Sequence, residues 1–592
     1  MDDIKSQAHY WSTSAVFDLE TRKEIAALMQ AGDEAELRER FAGRLAFGTG
    51  GMRGILGAGS NRMNLYNVRK ATQALASYLN KRFSGDEEKS AAISFDSRQF
   101  SREFAEATAE VFAGNGIKAY ITKEMRPTPM LSFMVRHFNC KGGVCVTASH
   151  NPPNYNGYKV YLETGGQIVP PHDKAIIEAY ENISAYEDIS LMDFSQGVKQ
   201  GLIVEVGREL DDTYFEKVAT LRMREQNELS PLKIVYTPLH GTGAFPVTKA
   251  LKLFGFDDVH LVAEQSDPDG HFPTVKFPNP EDPEALEMAI ALGKKIDADL
   301  VMASDPDTDR IGIVVKEPTG FNMLNGNQIG CLLVDYTLKS LKALNRLPEN
   351  PLVIKTIVTT ELQAKIARAY GAHCDETLTG FKWICQLIED YETGKKTPYR
   401  KYVCGGEESY GFLLDAFVRD KDAVTAHALA AEMVSYYKKQ GKYLSGVLDE
   451  IYQEHGLYEE SLVTITLPGL DGAEKIGQMM SQLRTSPPTD IGGIAVRSFH
   501  DISKGQSFDQ RDGKFVPAAS IPLPESNVLQ YYLSDGSKIS ARPSGTEPKI
   551  KFYFSVTASA AGLSDKSALE SAKKRAKDKI HQLETAVKKM FA

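Results

Sequence analysis

The sequence contains few cysteines, no long apolar run and no excess of positive charge. Its six cysteines form no C-x-x-C pair, which is typical of reduced cytosolic thiols. No apolar run approaches the ~20 residues that a membrane span requires, and the acidic, polar start MDDIKSQAHYWSTSAVF does not fit a signal peptide. The net charge of −9 and the pI near 5.8 argue against nucleic acid as the main partner. We therefore expect a soluble, cytoplasmic protein whose partners include neither a membrane nor a nucleic acid.

Two nucleotide-binding motifs are also missing. The stretch FGTGGMRG offers flexible glycines beside Arg53, but it does not satisfy G-x-G-x-x-G, so a dinucleotide site is excluded there. No G-x-x-x-x-G-K-[ST] occurs in the chain, which excludes the P-loop NTPases.

One strand–helix–strand pattern recurs along the 592 residues, of which 42% are hydrophobic. It is found in KSAAISFDSRQFSREFAEATAEVFAGNGIKAYIT, in LKIVYTPLHGTGAFPVTKALKLFGFDDVHLV and in PLVIKTIVTTELQAKIARAYGAHCDETLTGFKWI, with Gly255 and Gly371 ending the second and third helices. Short β-branched runs that alternate with helices predict parallel βαβ units. The chain is long enough for roughly three to five domains, and the three blocks predict three related α/β domains in series.

The last part of the chain has a different pattern. SLVTITL, GGIAVRSF, NVLQYYL and KIKFYFSV are strand-like, and a lysine-rich helix is predicted from Ser564 to Met590, with Ser567 and Glu570 as a capping box. This pattern predicts a smaller α+β domain. We place the domains at residues 1–207, 208–322, 323–458 and 459–592.

The stretch VCVTASHNPPNYNGYKVYL, from Val144 to Leu162, begins as a buried strand and then breaks into Ser, His, Asn, Pro and Gly. Ser149 is either an ordinary turn serine or a nucleophile that the fold holds in place. Other motifs in the chain must distinguish the two interpretations, because only a reactive serine needs chemical partners.

The most specific chemical motif is VMASDPDTDRIGIVV, in which Asp305, Asp307 and Asp309 alternate between two strands. Alternating carboxylates on a tight loop can converge on one hard cation. An EF-hand is excluded, because its sixth and twelfth loop positions are Arg310 and Lys316 here rather than glycine and glutamate. A solvated turn is the remaining alternative, but mutual repulsion makes three acids between buried strands costly. We favour a divalent metal, with Mg²⁺ as the best fit.

The serine loop and the aspartate loop make chemical sense together. Three aspartates provide too few ligands for an octahedral metal site. A phosphoserine would supply a further oxygen ligand and add about −1.5 to −2 of charge. Nearby cations are then required, and Arg310 and Lys159 are candidates.

Three further loops carry groups for anions or sugars. SARPSGTEPKIKFY places phosphate-binding candidates on a turn, namely Arg542, Ser544, Gly545 and Thr546, although a simple proline–glycine hairpin is the alternative. CGGEESYGF contributes Glu407 and Ser409, and TLTGFKW contributes Thr379, Gly380 and Lys382. A carboxylate beside hydroxyl groups can bind the vicinal hydroxyls of a sugar. The alternative interpretation of each loop is a solvated loop.

TASHNPPNYNGYKVY, DPDTDR, GEESYG and RPSGTEP resemble, in order, the four signature loops of the α-D-phosphohexomutase superfamily, and FGTGGMRG resembles its first-domain arginine loop. The resemblance covers nearly the whole chain. It implies an α/β fold of three related domains with mixed sheets, followed by a C-terminal α+β domain like the TATA-box-binding protein.

The resemblance also implies residue roles. Ser149 would carry phosphate, and one of its phosphate oxygens would join the three aspartates on Mg²⁺. Arg53 and Arg310 would stabilise the phosphoryl group in transit. Thr379, Glu407 and Ser409 would hold the sugar, the Arg542 loop would hold the non-reacting phosphate, and VRDKDAV makes Lys421 a candidate substrate contact.

One position departs from the family pattern. Bacterial phosphomannomutase-type members often carry a histidine just after the sugar-binding serine, where this chain has Tyr410 and Gly411. The proton-transfer role is therefore not carried over to that position, and His150 and Lys159 are the candidates for it.

The predicted activity is an intramolecular phosphoryl transfer between sugar 1-phosphate and sugar 6-phosphate through a bisphosphate. Glucose is the favoured sugar, with glucose 1,6-bisphosphate as activator and a monomer or homodimer as the assembly. The alternatives are a phosphopentomutase acting on ribose phosphates, a phosphomannomutase, a serine-dependent phosphatase and a non-catalytic carbohydrate-binding protein.

Overall fold

The structure is a computed structural model that describes residues 2–45, 50–86, 88–467, 470–544, 549–563 and 565–591. The described chain divides into two compact units. The first unit comprises residues 1–324, 385–396 and 409–439, and the second comprises residues 325–384, 397–408 and 440–592.

The amino-terminal part of the first unit begins with three helices and continues with a mixed sheet flanked by helices. Its elements are α1 (Asp2–Thr13), α2 (Leu19–Ala31), α3 (Glu34–Phe41), β1 (Gly51–Ile55), α4 (Leu65–Arg82), β2 (Ser90–Phe95), α5 (Ser101–Gly114), β3 (Lys118–Thr122), α6 (Thr128–His137), β4 (Gly142–Val146), β5 (Tyr155–Leu162), α7 (His172–Asn182), α8 (Phe194–Gln200), β6 (Ile203–Val206) and α9 (Arg208–Thr220). The strand order is β1-β5-β4-β2-β3-β6. Strands β4, β2, β3 and β6 are parallel, whereas β5 is antiparallel to both of its neighbours.

A second mixed sheet follows in the same unit. Its elements are β7 (Ile234–Thr237), α10 (Ala244–Leu253), β8 (Val259–Leu261), α11 (Ala263–Ser266), α12 (Glu287–Ile296), β9 (Leu300–Ser304), β10 (Ile311–Glu317) and β11 (Gly320–Leu324). The order is β11-β10-β9-β7-β8, with β9, β7 and β8 parallel and β10 and β11 antiparallel.

The next segment contributes to both units. Its elements are α13 (Gly326–Ala343), β12 (Pro351–Thr356), α14 (Leu362–Ala369), β13 (His373–Thr377), α15 (Phe381–Glu392), β14 (Lys401–Glu407), β15 (Gly411–Leu414), α16 (Ala423–Lys439) and α17 (Leu444–His455). In the second unit, β12 pairs in parallel with β13 and with β14. A capping box between Asn325 and Gln328 fixes the start of α13.

The carboxy-terminal part of the second unit is an antiparallel sheet with two helices. Its elements are β16 (Leu457–Thr466), α18 (Leu470–Thr485), β17 (Asp490–Ile491), β18 (Ile494–Asp501), β19 (Gln506–Arg511), β20 (Lys514–Ser520), β21 (Leu529–Leu533), β22 (Lys538–Pro543), β23 (Lys549–Ala558) and α19 (Lys566–Met590). The order is β16-β23-β22-β21-β18-β19-β20, and β17 pairs with β18.

The predicted fold class is confirmed. All three predicted βαβ units form, as β2-α5-β3, β7-α10-β8 and β12-α14-β13, each with its strands parallel. Gly255 and Gly371 lie beyond their helices at φ +92° and +77°, a conformation that glycine adopts without strain. The four predicted carboxy-terminal strands correspond to β16, β18, β21 and β23.

One local prediction is wrong. The last helix is capped by Asp565, whose side chain accepts a hydrogen bond from the backbone N–H of Ala568, and not by Ser567. Because the Asp565 carboxylate accepts a hydrogen bond from an N–H group of the first turn, the helix begins at Lys566. Ser567 therefore lies inside the first turn.

The main core of the first unit lies between its first sheet and helices α4 and α5, and is built from residues such as Leu75, Ile93, Phe112 and Val144. A separate aromatic cluster of Trp11, Phe17, Phe41 and Tyr66 joins the first three helices to α4. In the first two sheets, one loop leads from the end of a buried parallel strand into an antiparallel strand. These are the loops that carry Ser149 and the three aspartates.

Candidate active site

Ser149 lies in the turn between β4 and β5. Its φ of +51° places a non-glycine residue in the left-handed region, and its side chain is buried. The backbone N–H of Ser149 donates a hydrogen bond to Thr147 Oγ1 over 2.8 Å. A left-handed non-glycine residue costs of order 1–3 kcal/mol and persists only where its surroundings enforce it, which favours a functional serine over an ordinary turn serine.

The Ser149 hydroxyl faces the aspartate loop. Ser149 Oγ donates a hydrogen bond to Asp305 Oδ2 over 2.7 Å and lies 3.1 Å from His150 Nδ1. Residues 156 positions apart are thereby in contact, which brings the serine loop and the aspartate loop together.

The three aspartates lie between β9 and β10 and are fully buried. One carboxylate oxygen from each lies within 4.8 Å of the others. Asp305 Oδ1 accepts hydrogen bonds from the backbone N–H groups of Asp309 and Arg310, over 3.1 and 3.0 Å, which close the loop tightly.

This cluster has the chemistry of a metal site. Asp307 Oδ1 and Asp309 Oδ1 are buried and accept no hydrogen bond from the part of the chain that the structure describes. Buried carboxylate oxygens without donors are costly, and a hard cation would satisfy both. The buried group of Asp305, Asp307 and Asp309 can therefore hold a metal ion.

Two lysines balance the negative charge. Lys159 Nζ lies 2.6 Å from Asp307 Oδ2 and 3.0 Å from Asp309 Oδ2, and Lys421 Nζ lies 3.1 Å from Asp309 Oδ2. Burial opposes the charge on Lys159, but the carboxylates of Asp307 and Asp309 hold its pKa well above the ordinary lysine value. Lys159 is therefore a stable cation here.

The pKa values of Asp305 and Asp309 shift in opposite directions. Burial and the adjacent charges of Asp307 and Asp309 raise the pKa of Asp305 well above its ordinary value. Burial also opposes the charge of Asp309, but Lys159 and Lys421 outweigh it and lower the pKa of Asp309. The Asp305 side of the loop therefore resists ionisation more strongly than the Asp309 side.

Three other predicted residues lie around the same loops. Arg53 donates a hydrogen bond to Asn151 Oδ1 over 3.2 Å, and Arg310 forms a 2.5 Å ion pair with Glu281. His150 is half-buried, and the loss of solvation together with the charge of Arg310 lowers its pKa well below the ordinary histidine value. The neutral form of the imidazole is thus favoured.

Lys421, the candidate substrate contact, lies beside the aspartate loop. It pairs with Asp309 and with Asp420 Oδ1, at 3.1 and 3.2 Å, so its ammonium group touches the aspartate loop. Asp420 in turn accepts hydrogen bonds from Tyr161 Oη and Gln167 Nε2, over 2.6 and 2.8 Å.

The second unit carries the predicted sugar-binding loop. The backbone N–H of Gly380 donates a 2.7 Å hydrogen bond to Glu407 Oε1, and Glu407 is buried at the end of β14. The hydroxyl of Thr379 is buried without a hydrogen-bond partner among the described residues. Lys382 Nζ lies 5.4 Å from the ring centroid of Trp383. Ser409 belongs to the first unit.

The predicted phosphate loop is described only in part. Arg542 lies near the end of β22, and the backbone N–H of Ser544 donates a 2.8 Å hydrogen bond to the carbonyl oxygen of Lys549. Gly545 and Thr546 lie outside the described residues, so the phosphate nest stays a prediction.

Sequence reasoning missed several residues that support the site. Thr128 Oγ1 donates a 2.7 Å hydrogen bond to Asp307 Oδ2, and Arg98 contacts the backbone of the Ser149 loop. Glu281 forms an ion pair with Arg310, and Asp420 forms an ion pair with Lys421. Thr128 and Glu281 lie outside the stretches singled out from the sequence, and Arg98 and Asp420 lie inside quoted stretches without an assigned role, so only tertiary contacts bring the four to the site.

Comparison with known proteins gives a consistent result. Residues 44–187, 212–320 and 325–455 match the phosphoglucomutase/phosphomannomutase alpha/beta/alpha domains I, II and III, in that order. The chain is 37% identical to phosphoglucomutase of Staphylococcus aureus (strain MRSA252) over 524 residues, which cover 88% of this chain and 91% of that protein. It is also 37% identical to phosphoglucomutase of Staphylococcus epidermidis (strain ATCC 12228), covering 88% and 92%.

Solved structures share the fold. A phosphoglucomutase/phosphomannomutase family protein of Burkholderia thailandensis matches with a TM-score of 0.60 at 20% identity, covering 90% of this chain and 97% of that one. The open form of the exocytosis-sensitive phosphoprotein pp63/parafusin of Paramecium matches with a TM-score of 0.61 at 18% identity, covering 91% and 95%.

Within the described part of the chain, no helix has the length and apolar character needed to cross a membrane. The domain matches, the identity to curated phosphoglucomutases and the shared fold agree with the resemblance seen in the motifs. The chain belongs to the phosphoglucomutase/phosphomannomutase family of the α-D-phosphohexomutase superfamily.

Proposed function

We propose that this protein is a phosphoglucomutase that interconverts glucose 1-phosphate and glucose 6-phosphate through a phosphoserine at position 149 and a bisphosphate intermediate. The observation that carries the proposal is the contact of a strained, buried serine hydroxyl with a buried triplet of aspartates. The names of the curated relatives favour a hexose over a pentose phosphate.

In the proposed reaction, the bond between Ser149 Oγ and phosphorus breaks, and a bond forms between phosphorus and the oxygen of the free sugar hydroxyl. That hydroxyl loses its proton, and the Ser149 oxygen takes up one proton. After the bisphosphate turns around, the same exchange in reverse returns its other phosphate to Ser149. The net reaction moves one phosphate group between two hydroxyls of one sugar.

The chain's own residues supply positioning and charge, which are the main terms in phosphoryl transfer. Arg53 and Arg310 lie near the serine loop and the aspartate loop, where they are proposed to stabilise the phosphoryl group. His150 and Lys159 are the proposed proton-transfer groups, and the position of His150 Nδ1, 3.1 Å from Ser149 Oγ, supports the first.

Asp305, Asp307, Asp309 and an oxygen of phosphorylated Ser149 are proposed to hold Mg²⁺. A bound divalent cation supplies positive charge that stabilises the negative charge on the phosphoryl oxygens. The unpartnered oxygens of Asp307 and Asp309 support this donor set.

The substrate groups are proposed from the family motifs. Thr379, Gly380, Lys382, Glu407, Ser409 and Lys421 are proposed to contact the sugar, and Arg542, Ser544, Gly545 and Thr546 the non-reacting phosphate. The hydrogen bond from Gly380 to Glu407 supports a preformed carboxylate in this loop. The contact of Lys421 with Asp309 also supports a role beside the metal.

Several wider features belong to the same proposal. We propose glucose 1,6-bisphosphate as activator, a cytoplasmic location, and a monomer or homodimer. The four-domain division at residues 207, 322 and 458 is also proposed, and the three matched family segments support it.

The first test compares kcat/KM for glucose 1-phosphate, mannose 1-phosphate and ribose 1-phosphate, each with Mg²⁺ and a trace of the matching bisphosphate. We expect glucose to lead by tenfold or more, which is about 1.4 kcal/mol of transition-state discrimination. A lead for ribose would make the protein a phosphopentomutase with the same site.

The second test asks whether Ser149 carries the phosphate, and assays of free-phosphate release and of activation by bisphosphate separate a mutase from a serine-dependent phosphatase. We expect Ser149→Ala to lower turnover by about 10⁴-fold or more, because the phosphate-carrying oxygen is gone. The exposed Ser195→Ala serves as the control. A phosphatase would instead release free phosphate steadily and gain nothing from added bisphosphate.

A further inference from the structure

Arg98 is a buried cation that the family motifs do not explain. It lies in the turn between β2 and α5, and its side chain is fully buried. Its neighbours in the fold are the residues that follow Ser149, more than fifty positions away in the sequence.

The guanidinium group of Arg98 donates hydrogen bonds to four backbone carbonyl oxygens of the serine loop. One terminal nitrogen binds the carbonyls of Pro152 and Tyr155, over 2.8 and 3.0 Å. The other binds the carbonyls of Ser149 and Asn151. All four acceptors come from a segment of seven residues, 149–155.

These contacts fix the backbone conformation of residues 149–155. A peptide plane whose carbonyl oxygen binds Arg98 cannot rotate without losing that hydrogen bond. Four such planes, that of Ser149 and three that follow it, restrain a serine held at φ +51°, a conformation that an unrestrained residue would leave. Arg98 therefore holds the backbone that presents Ser149 Oγ to Asp305.

Arg98 is itself held from several sides. Its backbone N–H donates to Asp96 Oδ1 over 3.0 Å, and the same oxygen accepts the Ser101 hydroxyl over 2.8 Å. The guanidinium lies 4.9 Å from the ring centroid of Phe272. A rigid donor of this kind can serve as a template for the loop.

We propose that Arg98 is a positioning residue for phosphoryl transfer: it gathers the carbonyls of residues 149–155 and so holds the Ser149 oxygen in line for the reaction. This inference rests on the proposed mutase function. Arg98 contacts the loop backbone and not the reacting atoms, so its loss acts on the transfer step rather than on binding of the sugar phosphate.

The test is the variant Arg98→Lys, which keeps the charge but offers one nitrogen in place of a planar fork. We expect kcat for glucose 1-phosphate to fall by about 100-fold, because a small misplacement of the nucleophile is costly, while KM stays within about threefold. If Arg98→Gln folds, it is measured as a second variant. If Arg98→Gln does not fold, Arg98→Lys alone provides the test.

Amide hydrogen exchange gives a second readout that needs no activity. The peptide spanning residues 144–158 should exchange at least about tenfold faster in Arg98→Lys, with the peptides of α4 and α13 unchanged. Arg224→Lys is the matched control, since Arg224 is also a buried arginine of the first unit but packs on Tyr436. We expect that variant to match the wild type in both assays.

Three results would overturn the inference. These are wild-type exchange of residues 144–158 in Arg98→Lys, an equal loss of kcat in Arg224→Lys, or a rise in KM that accounts for the lost kcat/KM. A wild-type protein that turns over no sugar phosphate would refute the proposed function instead, and the exchange data would then decide whether Arg98 holds the loop.

Discussion

Asp307 is held by partners from two separate parts of the chain. Its Oδ2 atom accepts hydrogen bonds from Thr128 and Lys159, over 2.7 and 2.6 Å, and its backbone carbonyl accepts the N–H of Thr128 over 2.9 Å. Its Oδ1 atom has no hydrogen-bond donor among the described residues. The neighbours of Oδ2 thus orient the carboxylate so that Oδ1 is free to bind a cation.

We expect Thr128→Val to lower the affinity for Mg²⁺ by roughly tenfold, because groups that orient a metal ligand typically contribute 10–100-fold. Calorimetric titration of the purified protein with Mg²⁺ measures this. Thr108→Val is the matched control, since Thr108 is an equally buried threonine whose hydroxyl donates a hydrogen bond to the carbonyl oxygen of Phe104 in its own helix. Equal affinities in the two variants would contradict the prediction.

His427 is a buried histidine on α16, outside the candidate site. Its Nδ1 lies 2.7 Å from the carbonyl oxygen of Ala423, its Nε2 lies 3.1 Å from that of Ala303, and the Tyr236 ring packs beside it at 5.4 Å. Burial lowers its pKa from 6.5 to about 4, although both carbonyls favour the charged ring. Desolvation therefore outweighs two hydrogen bonds.

We expect His427 to make stability depend on acid pH. Between pH 6.5 and pH 4 the unfolded chain binds a proton that the folded chain does not, so the free energy of unfolding falls as the pH falls, by roughly 3 kcal/mol in total. Urea unfolding at several pH values measures this. The pH dependence should be shallower in His427→Gln, and a slope as steep as that of the wild type would contradict the assignment.

At the scale of elements, the aspartate loop rests on the loop that follows β7. Leu239 and His240 are consecutive non-glycine residues with φ of +46° and +61°, a strained path that brings Gly241 against Pro306. The backbone N–H of Thr242 then donates a 2.8 Å hydrogen bond to the Pro306 carbonyl. The shape of the aspartate loop is therefore imposed by a neighbouring loop of the same sheet.

We expect Gly241→Ala to lower kcat by about 100-fold without changing any carboxylate, because the added Cβ would lie 2.3 Å from Pro306 Cα and displace the loop. Steady-state kinetics at saturating Mg²⁺ measures this. Gly446→Ala in α17 is the control, since its Cβ would meet nothing within 4 Å. If both variants keep wild-type kcat, the close approach of Gly241 to Pro306 has no role in the reaction.

At the scale of the whole molecule, ion pairs and apolar contacts within the second unit join the carboxy-terminal sheet to β12. Lys355, fully buried, pairs with Glu376 and with Glu361 at 3.1 Å, and Lys538 on β22 pairs with Glu361 at 2.9 Å. An apolar cluster lies at the same junction: Ile357, Val358, Leu378, Ile502, Val528 and Tyr553. Such a junction fixes the two sheets of this unit against each other.

We expect Mg²⁺ to stabilise the protein, because the aspartates repel one another until a cation is bound. A ligand at 100 times its Kd that binds only the folded state adds about 2.7 kcal/mol to the free energy of unfolding. Thermal melts with excess Mg²⁺ and with a chelator measure the difference as a rise in Tm. Asp307→Asn should abolish most of the rise, and identical melts of the wild type under both conditions would argue against a resident metal.

Local patterns in the sequence determined much of this fold. Alternating strands and helices with glycine stops predicted the three βαβ units, because hydrophobic period and backbone conformation are properties of neighbouring residues. The same holds for the Ser149 loop and the aspartate triplet, whose residue types and order along the chain indicated the family. Lys159 was identified as a counter-ion because charge balance required one.

Only the tertiary structure decided which distant groups complete the site. Lys159 meets Asp307 across 148 residues, Thr128 meets Asp307 across 179, and Arg98 meets the carbonyls that follow Ser149. No pattern in the sequence marks Thr128 or Arg98, and none shows which aspartates Lys159 meets, since these contacts depend on strands that pair side by side and on loops that approach through space. The sequence therefore determined which chemical groups are available, and the packing of the sheets decided which of them meet.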